Sequence, residues 1–263
     1  MSKRLRDLFA SAHAEGRKLF VPYVTAGYPR PEDTVPILLA MEEGGADAIE
    51  IGVPFTDPLA DGATIQHANQ VALEQGVTLG KCFDYVREAR AQGLKAPVLF
   101  MGYYNPILAR GEARACAEAA AAGADGWIVV DLPPEEAGSF LAECKKADMS
   151  FVPLIAPTTR DERIGTIARV ADAFIYCVSM TGTTGGAQVN QDDLPVFIER
   201  IRAHTDTPLG VGFGINTRAQ ADAVRKVADA AIVGSAIIAT IDAAEENHRA
   251  QSVREYVENV SGR

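Results

Sequence analysis

The chain has 263 residues, 48% of them hydrophobic and 23% charged, the balance of a packed globular protein. Its formal net charge of -10 argues against a general nucleic-acid binder, whose affinity comes from Lys and Arg on phosphates, and against docking on an anionic membrane surface. These figures leave room for a phosphorylated small molecule, because backbone N–H groups bind phosphate without a basic patch.

The first 18 residues are charged and lack the apolar core of a signal peptide. They read as a short amphipathic helix with Leu5, Leu8, Phe9 and Ala12 on or near one face. Apolar runs follow at 20–25, 48–53, 97–102, 127–131, 151–155, 174–179, 209–213 and 231–234. They are rich in Val and Ile and nearly continuous in hydrophobicity, as strands covered on both faces should be. Between them, segments such as 112–122, 134–146, 194–204 and 218–227 carry helical periodicity. Strand then helix, eight times, predicts an α/β fold, a (β/α)8 TIM barrel with an extra N-terminal helix, as one domain over 1–263. A doubly wound open sheet is the alternative. It usually has fewer strands, and no G-x-G-x-x-G follows the first one. No apolar run approaches the roughly 18 residues of a membrane span. Cys82, Cys116, Cys144 and Cys177 form no C-x-x-C pair and have no zinc-ligand spacing, so they read as reduced thiols of a cytoplasmic protein.

A faint repeat runs through the chain. Gly45-Ala46-Asp47, Gly123-Ala124-Asp125, Val170-Ala171-Asp172 and Val227-Ala228-Asp229 each precede an even-numbered strand. One copy is an ordinary turn between helix and strand. Four copies are what a barrel grown from two-strand units would leave.

In such barrels the active site lies at the C-terminal ends of the strands. Glu50 stands alone there among apolar residues. It shares a strand face with Ala48 and Gly52, while Ile49 and Ile51 take the other, so the expectation is that Glu50 points into the barrel. Burial would raise its pKa toward a range useful for acid–base work. A Glu at a strand end facing solvent or an Arg is the plain alternative. The loop from Pro54 to Gly62 is long for its place and carries Asp57 and Asp61, although Asp57-Pro58 and Asp61-Gly62 are also common turn pairs. Tyr176 falls opposite Glu50 in strand order, near the substrate or simply in the core. The Gly- and Thr-rich stretch from Met180 to Ala187 reads as an anion-donor loop, a lid or a plain surface loop. Gly210, Gly212 and Gly214 end strand seven, and Gly234 ends strand eight just before a helix that opens at Ser235. Glycines at those two ends suit the phosphate site that many barrels build there. None of the seven lysines ends a strand, so a Schiff base lacks its amine, and no two of the four histidines are close enough in sequence to start a metal site. The residues point to metal-free carboxylate chemistry on a phosphorylated substrate.

The run Ile49-Glu50-Ile51-Gly52-Val53-Pro54-Phe55-Thr56-Asp57-Pro58-Leu59-Ala60-Asp61-Gly62 resembles the signature of the tryptophan synthase alpha subunit family. The resemblance continues through Val21-Pro22-Tyr23-Val24-Thr25-Ala26-Gly27, Met101-Gly102-Tyr103-Tyr104-Asn105-Pro106, Asp131-Leu132-Pro133-Pro134, Thr181-Gly182-Thr183-Thr184-Gly185 and Gly212-Phe213-Gly214-Ile215, and covers essentially the whole chain. It implies retro-aldol cleavage of indole-3-glycerol phosphate to indole and glyceraldehyde 3-phosphate, with no metal or cofactor in this chain. Carried onto this sequence, it makes Glu50 the acid–base group, has Asp61 hold the indole N–H and lets Tyr176 orient Glu50 or the substrate hydroxyl. It assigns the phosphate to Gly185, Gly214, Gly234 and Ser235. The indole pocket would be walled by Tyr23, Ile65, Met101, Tyr103, Ile128, Phe213 and Ile232, with Thr184 closing over it. The implied partner is a PLP-dependent beta subunit in an αββα heterotetramer, met through Pro54, Phe55, Asp57, Asn105, Asp131, Pro133 and Pro134. The chain departs from the commoner pattern at Tyr23, Ala63, Met101, Met180 and Thr183, none of which removes a catalytic group. Rival readings are a sugar-phosphate isomerase barrel, a non-catalytic activator of a beta partner, and a stand-alone indole-releasing lyase.

Overall fold

A computed structural model describes residues 2–178, 193–212 and 214–263. Its strands are β1 (Leu19–Thr25), β2 (Ile49–Gly52), β3 (Val98–Gly102), β4 (Gly126–Val129), β5 (Ser150–Val152), β6 (Leu154–Ile155), β7 (Ile175–Val178), β8 (Leu209–Gly212) and β9 (Ala230–Val233). All pair in parallel, in the order β5-β4-β3-β2-β1-β9-β8-β7-β6. The eight expected strands are recovered, with one split. Pro153 has no N–H to give a ladder, so the fifth run divides into β5, which pairs with β4, and β6, which pairs with β7. The chain through Pro153 thereby joins the two ends of the sheet, and the result is a nearly closed TIM barrel rather than a doubly wound sheet.

The helices are α1 (Lys3–Ala14), α2 (Thr34–Glu43), α3 (Ala63–Glu74), α4 (Leu79–Ala91), α5 (Tyr104–Arg110), α6 (Glu112–Ala122), α7 (Gly138–Lys146), α8 (Asp161–Ala168), α9 (Leu194–Arg202), α10 (Arg218–Arg225), α11 (Ser235–Ala243) and α12 (Arg249–Ser261). α7 starts four residues later than its periodicity suggests, because 134–137 form turns after two prolines. α9 and α10 each end two residues early.

Strand alternation divides the core into two layers. Ile49, Ile51, Phe100, Trp127 and Val211 face outward and pack on the helices. Leu19, Val21, Leu99, Ile128, Val152 and Ile232 face inward and fill the barrel. α1 closes the N-terminal end of that interior: Leu5, Phe9 and Ala12 are buried in the same inner cluster, and the Phe9 ring stacks on Phe174 at 5.2 Å. Leu5 and Phe9 each contribute about 1.5–3 kcal/mol by leaving water.

The four Asp turns do more than turn the chain. The Asp47 carboxylate accepts the Phe20 N–H (2.8 Å), Asp125 that of Val98 (3.0 Å) and Asp229 that of Leu209 (2.9 Å). Asp172 accepts from the Phe151 N–H. Each Asp before an even barrel strand thus clasps the start of the odd strand before it. Cations flank Asp47 (Arg17 and Arg263), Asp125 (Arg4 and Arg90) and Asp229 (Lys18 and Arg202). The clasps occupy the end of the barrel opposite the expected site. Among the described residues, no helix is long and apolar enough to cross a membrane.

Candidate active site

Glu50 pairs in register with Tyr23 of β1 and Leu99 of β3. Its strand neighbour on the same face, Ala48, belongs to the inner cluster, and Ile49 and Ile51 belong to the outer one, so Glu50 faces into the barrel. It is 0% exposed, and neither carboxyl oxygen has a hydrogen-bond partner among the described residues. Nothing offsets the lost hydration, and burial holds the carboxyl well above the usual carboxylate range. Burial thus favours the proton-bearing form of Glu50.

Asp61 ends the loop after β2. The Tyr103 hydroxyl donates to its Oδ2 at 3.1 Å and accepts the Ala60 N–H at 2.9 Å. Burial pushes Asp61 up to about 6, against the pull of the Tyr103 hydrogen bond. At neutral pH it is mostly ionised. The two carboxyls differ in environment: Glu50 has burial alone acting on it, whereas Asp61 has burial opposed by the Tyr103 hydrogen bond.

Burial raises both the Tyr23 and Tyr176 phenols, so they stay neutral. The Tyr23 hydroxyl is 3.1 Å from the Thr25 hydroxyl. Tyr176 lies over Gly212, where a Cβ would stand 2.9 Å from the Tyr176 ring and closer still to its hydroxyl. Gly212→Ala is expected to lower kcat/KM about tenfold by displacing that ring, with a thermal midpoint 2–10 °C lower, roughly the overpacking cost of 1–3 kcal/mol. Unchanged turnover would show that the Tyr176 position is immaterial.

A cavity at the mouth is lined by Tyr23, Val53, Asp61, Asn69, Met101, Gly102, Tyr103 and Val130. Three of these, Tyr23, Met101 and Tyr103, are expected wall residues of the pocket, and Asp61 is an expected catalytic residue. Glu50 does not line it. Ile128 and Ile232 lie in the inner cluster, and a Cβ on Gly234 would sit 3.6–3.7 Å from Tyr23 and Ile65. Val53, Asn69, Gly102 and Val130 escaped the sequence reading. Asn69 left a signal, as a polar residue on the buried Ala68–Ala72 side of α3.

At the expected phosphate end, Gly214 has φ +50°, a left-handed conformation that favours glycine, and a Cβ there would meet nothing within 4 Å among the described residues. Gly234 precedes α11, whose first residue, Ser235, is exposed. Gly185, Thr184 and Phe213, with the 180–187 loop, lie outside the described residues. On the partner side, Asp57, Asn105 and Asp131 are exposed and Phe55, Pro133 and Pro134 are half-buried, but Pro54 is buried within the chain. Asp131 accepts the Tyr104 N–H at 2.7 Å and so ties two loops together. Leu59 (78% exposed) and Leu108 stand out on these same loops and helices, an apolar signal the sequence reading passed over.

The fold is that of a TIM barrel, with Glu50 on β2 and Asp61 in the loop that follows it. The sequence model of the tryptophan synthase alpha chain family matches residues 9–262, and the chain belongs to that family. It is 46% identical over 262 residues to the tryptophan synthase alpha chain of Roseiflexus castenholzii, covering 98% of this chain and 99% of that one. It is 48% identical over 261 residues to the tryptophan synthase of Saccharomyces cerevisiae, where it covers 99% of this chain but spans only 37% of the yeast protein. The crystal structure of tryptophan synthase subunit alpha from Legionella pneumophila superposes with a TM-score of 0.91 at 33% identity, over 100% of this chain and 98% of that one. The aminoacrylate-bound tryptophan synthase of M. tuberculosis gives 0.88 at 31% identity, over 99% and 98%.

Proposed function

We propose that the chain cleaves indole-3-glycerol phosphate to indole and glyceraldehyde 3-phosphate by a retro-aldol step. The observation that carries this reading is the pair of carboxyls at one barrel mouth, Glu50 fully buried with no hydrogen-bond partner among the described residues and Asp61 held by the Tyr103 hydroxyl. Glu50 gives its proton to indole C3. The ring becomes an indoleninium whose N–H faces the Asp61 carboxylate, which stabilises the positive charge. The C3–C bond then breaks, its electron pair restores the indole, and the side-chain hydroxyl loses its proton to Glu50 as the aldehyde forms. Glu50 ends as it began. The reading requires its side chain to turn toward the cavity as the ring enters.

Tyr176 orients Glu50 or the reacting hydroxyl. Tyr23, Ile65, Met101, Tyr103, Ile128 and Ile232 wall the ring, completed by Phe213 and Thr184. Gly185, Gly214, Gly234 and Ser235 hold the phosphate through N–H groups and a hydroxyl at the start of α11. The reaction draws on no cofactor of this chain. A beta subunit that holds PLP takes up the indole at the face of Phe55, Asp57, Asn105, Asp131, Pro133 and Pro134, in an αββα assembly in the cytoplasm. The yeast relative, of which this chain spans 37%, supports such a pairing by its extra length.

The test is indole release from indole-3-glycerol phosphate by the purified chain, with and without a beta subunit. Slow release that rises strongly with the partner is expected. Fast release alone would favour the stand-alone lyase, and none in either condition would reassign the substrate.

A further inference from the structure

The loop that carries Asp61 has no regular structure of its own, and its middle, Asp57 to Ala60, is mostly exposed. Asp61 is nevertheless held at both ends of the residue by two different elements. Tyr103, just past β3, bonds its carboxylate. Gln66, in the first turn of α3, reaches back over the helix N-terminus, and its amide Nε2 donates to the Asp61 carbonyl at 2.8 Å and to the Pro58 carbonyl at 3.4 Å. Gln66 itself is anchored, since its backbone N–H donates to the Gly62 carbonyl at 2.9 Å. Tyr103 alone fixes the carboxylate only to the extent that the backbone beneath it stays still.

We infer that Gln66 is a positioning residue for Asp61: its amide pins the Asp61 and Pro58 carbonyls to α3, so that the carboxylate meets the ring N–H of an indole substrate. The inference rests on the function proposed above, because it assigns Asp61 that ring. A side-chain amide suits the task. It offers two donors to two carbonyls, carries no charge to compete for the Asp61 carboxylate, and costs little in a helix. A displacement of about 1 Å at a group that must align with a substrate is enough to cost a large part of its effect.

Gln66→Met keeps length and helix preference but removes both donors. The probe is indole-3-propanol phosphate, which keeps the ring N–H and the phosphate but has no side-chain hydroxyl and cannot be cleaved. In the full chain, Gln66→Met is expected to weaken its binding about tenfold, the ordinary worth of one buried hydrogen bond. In an Asp61→Asn background the same change is expected to cost less than twofold, since Gln66 acts through the carboxylate. Binding of glycerol 3-phosphate, which tests only the phosphate end, should stay within twofold throughout. Equal losses in both backgrounds, or a parallel loss for glycerol 3-phosphate, would overturn the inference in favour of general loop stability. Wild-type binding with no effect of Gln66→Met would overturn it as well. No binding by the wild type would remove the proposed function, and the inference with it.

Discussion

Glu50→Gln is expected to lower kcat for indole release at least about 1,000-fold, because one group supplies both the proton to C3 and the base for the hydroxyl, and each such transfer is worth roughly 10²–10⁴. The amide keeps the shape of the carboxyl, so the barrel should fold and still bind a beta partner. Thermal unfolding gives a second, independent reading of the same side chain. Glu50 is buried with no partner for either oxygen among the described residues, and its folded pKa is raised. At pH 4 the carboxyl is largely protonated both folded and unfolded, and the wild type loses little. Above the unfolded value of about 4.3, unfolding releases a proton, so stability falls as pH rises toward the folded pKa. Each pH unit in that window costs the wild type about 1.4 kcal/mol, which Gln66-intact Glu50→Gln protein does not lose. The variant should therefore match the wild type near pH 4 and unfold several degrees higher at pH 8. Wild-type turnover in the variant would remove Glu50 from the chemistry. Thermal midpoints that run parallel from pH 4 to 8 would show that Glu50 is not held protonated.

The second large effect concerns the opposite end of the barrel. Asp125→Ala is expected to cost about 3–5 kcal/mol, read as a thermal midpoint lowered by about 10 °C. The buried carboxylate accepts from Val98 N–H at 3.0 Å, Ser2 Oγ at 2.7 Å and Arg90 Nη2 at 3.0 Å. Removing it strands a strand N–H and a half-buried guanidinium together, and unmade bonds at buried groups cost more than made ones give. Asp125→Asn keeps an acceptor for Val98 and should lose about half as much. Because the clasp lies at the N-terminal end of β3 and β4, kcat/KM at 25 °C should stay within about twofold in both variants. A shift under 2 °C for Asp125→Ala would reduce the four Asp turns to ordinary turns.

Much of the barrel was legible in the chain itself. β2 is the clearest case. The order Ala48, Ile49, Glu50, Ile51, Gly52 assigns the large aliphatics to one face and Glu50 to the other, and the structure puts Ile49 and Ile51 on the helices and Ala48 in the interior. Period-two alternation is a local property, so reading it needed no tertiary contact. α1 was legible for the same reason, through the spacing of Leu5, Phe9 and Ala12. The Asp repeat marked the positions of the clasps but not their bonds, since Asp47 to Phe20 or Asp125 to Val98 spans 27 residues in either case.

Residue order by itself determined the eight apolar runs that become strands, the face of Glu50 and the long loop that carries Asp61, because alternation, helical period and turn chemistry act over a few residues. Only the folded chain decided the rest. It split the fifth strand at Pro153, buried Pro54, and set Asn69 against the cavity and Gln66 against the Asp61 carbonyl. It also gave Glu50 and Asp61 different environments, and a pKa depends on what closes around a carboxyl: for Glu50, full burial and no donor among the described residues; for Asp61, burial opposed by the Tyr103 hydroxyl brought in from 42 residues away.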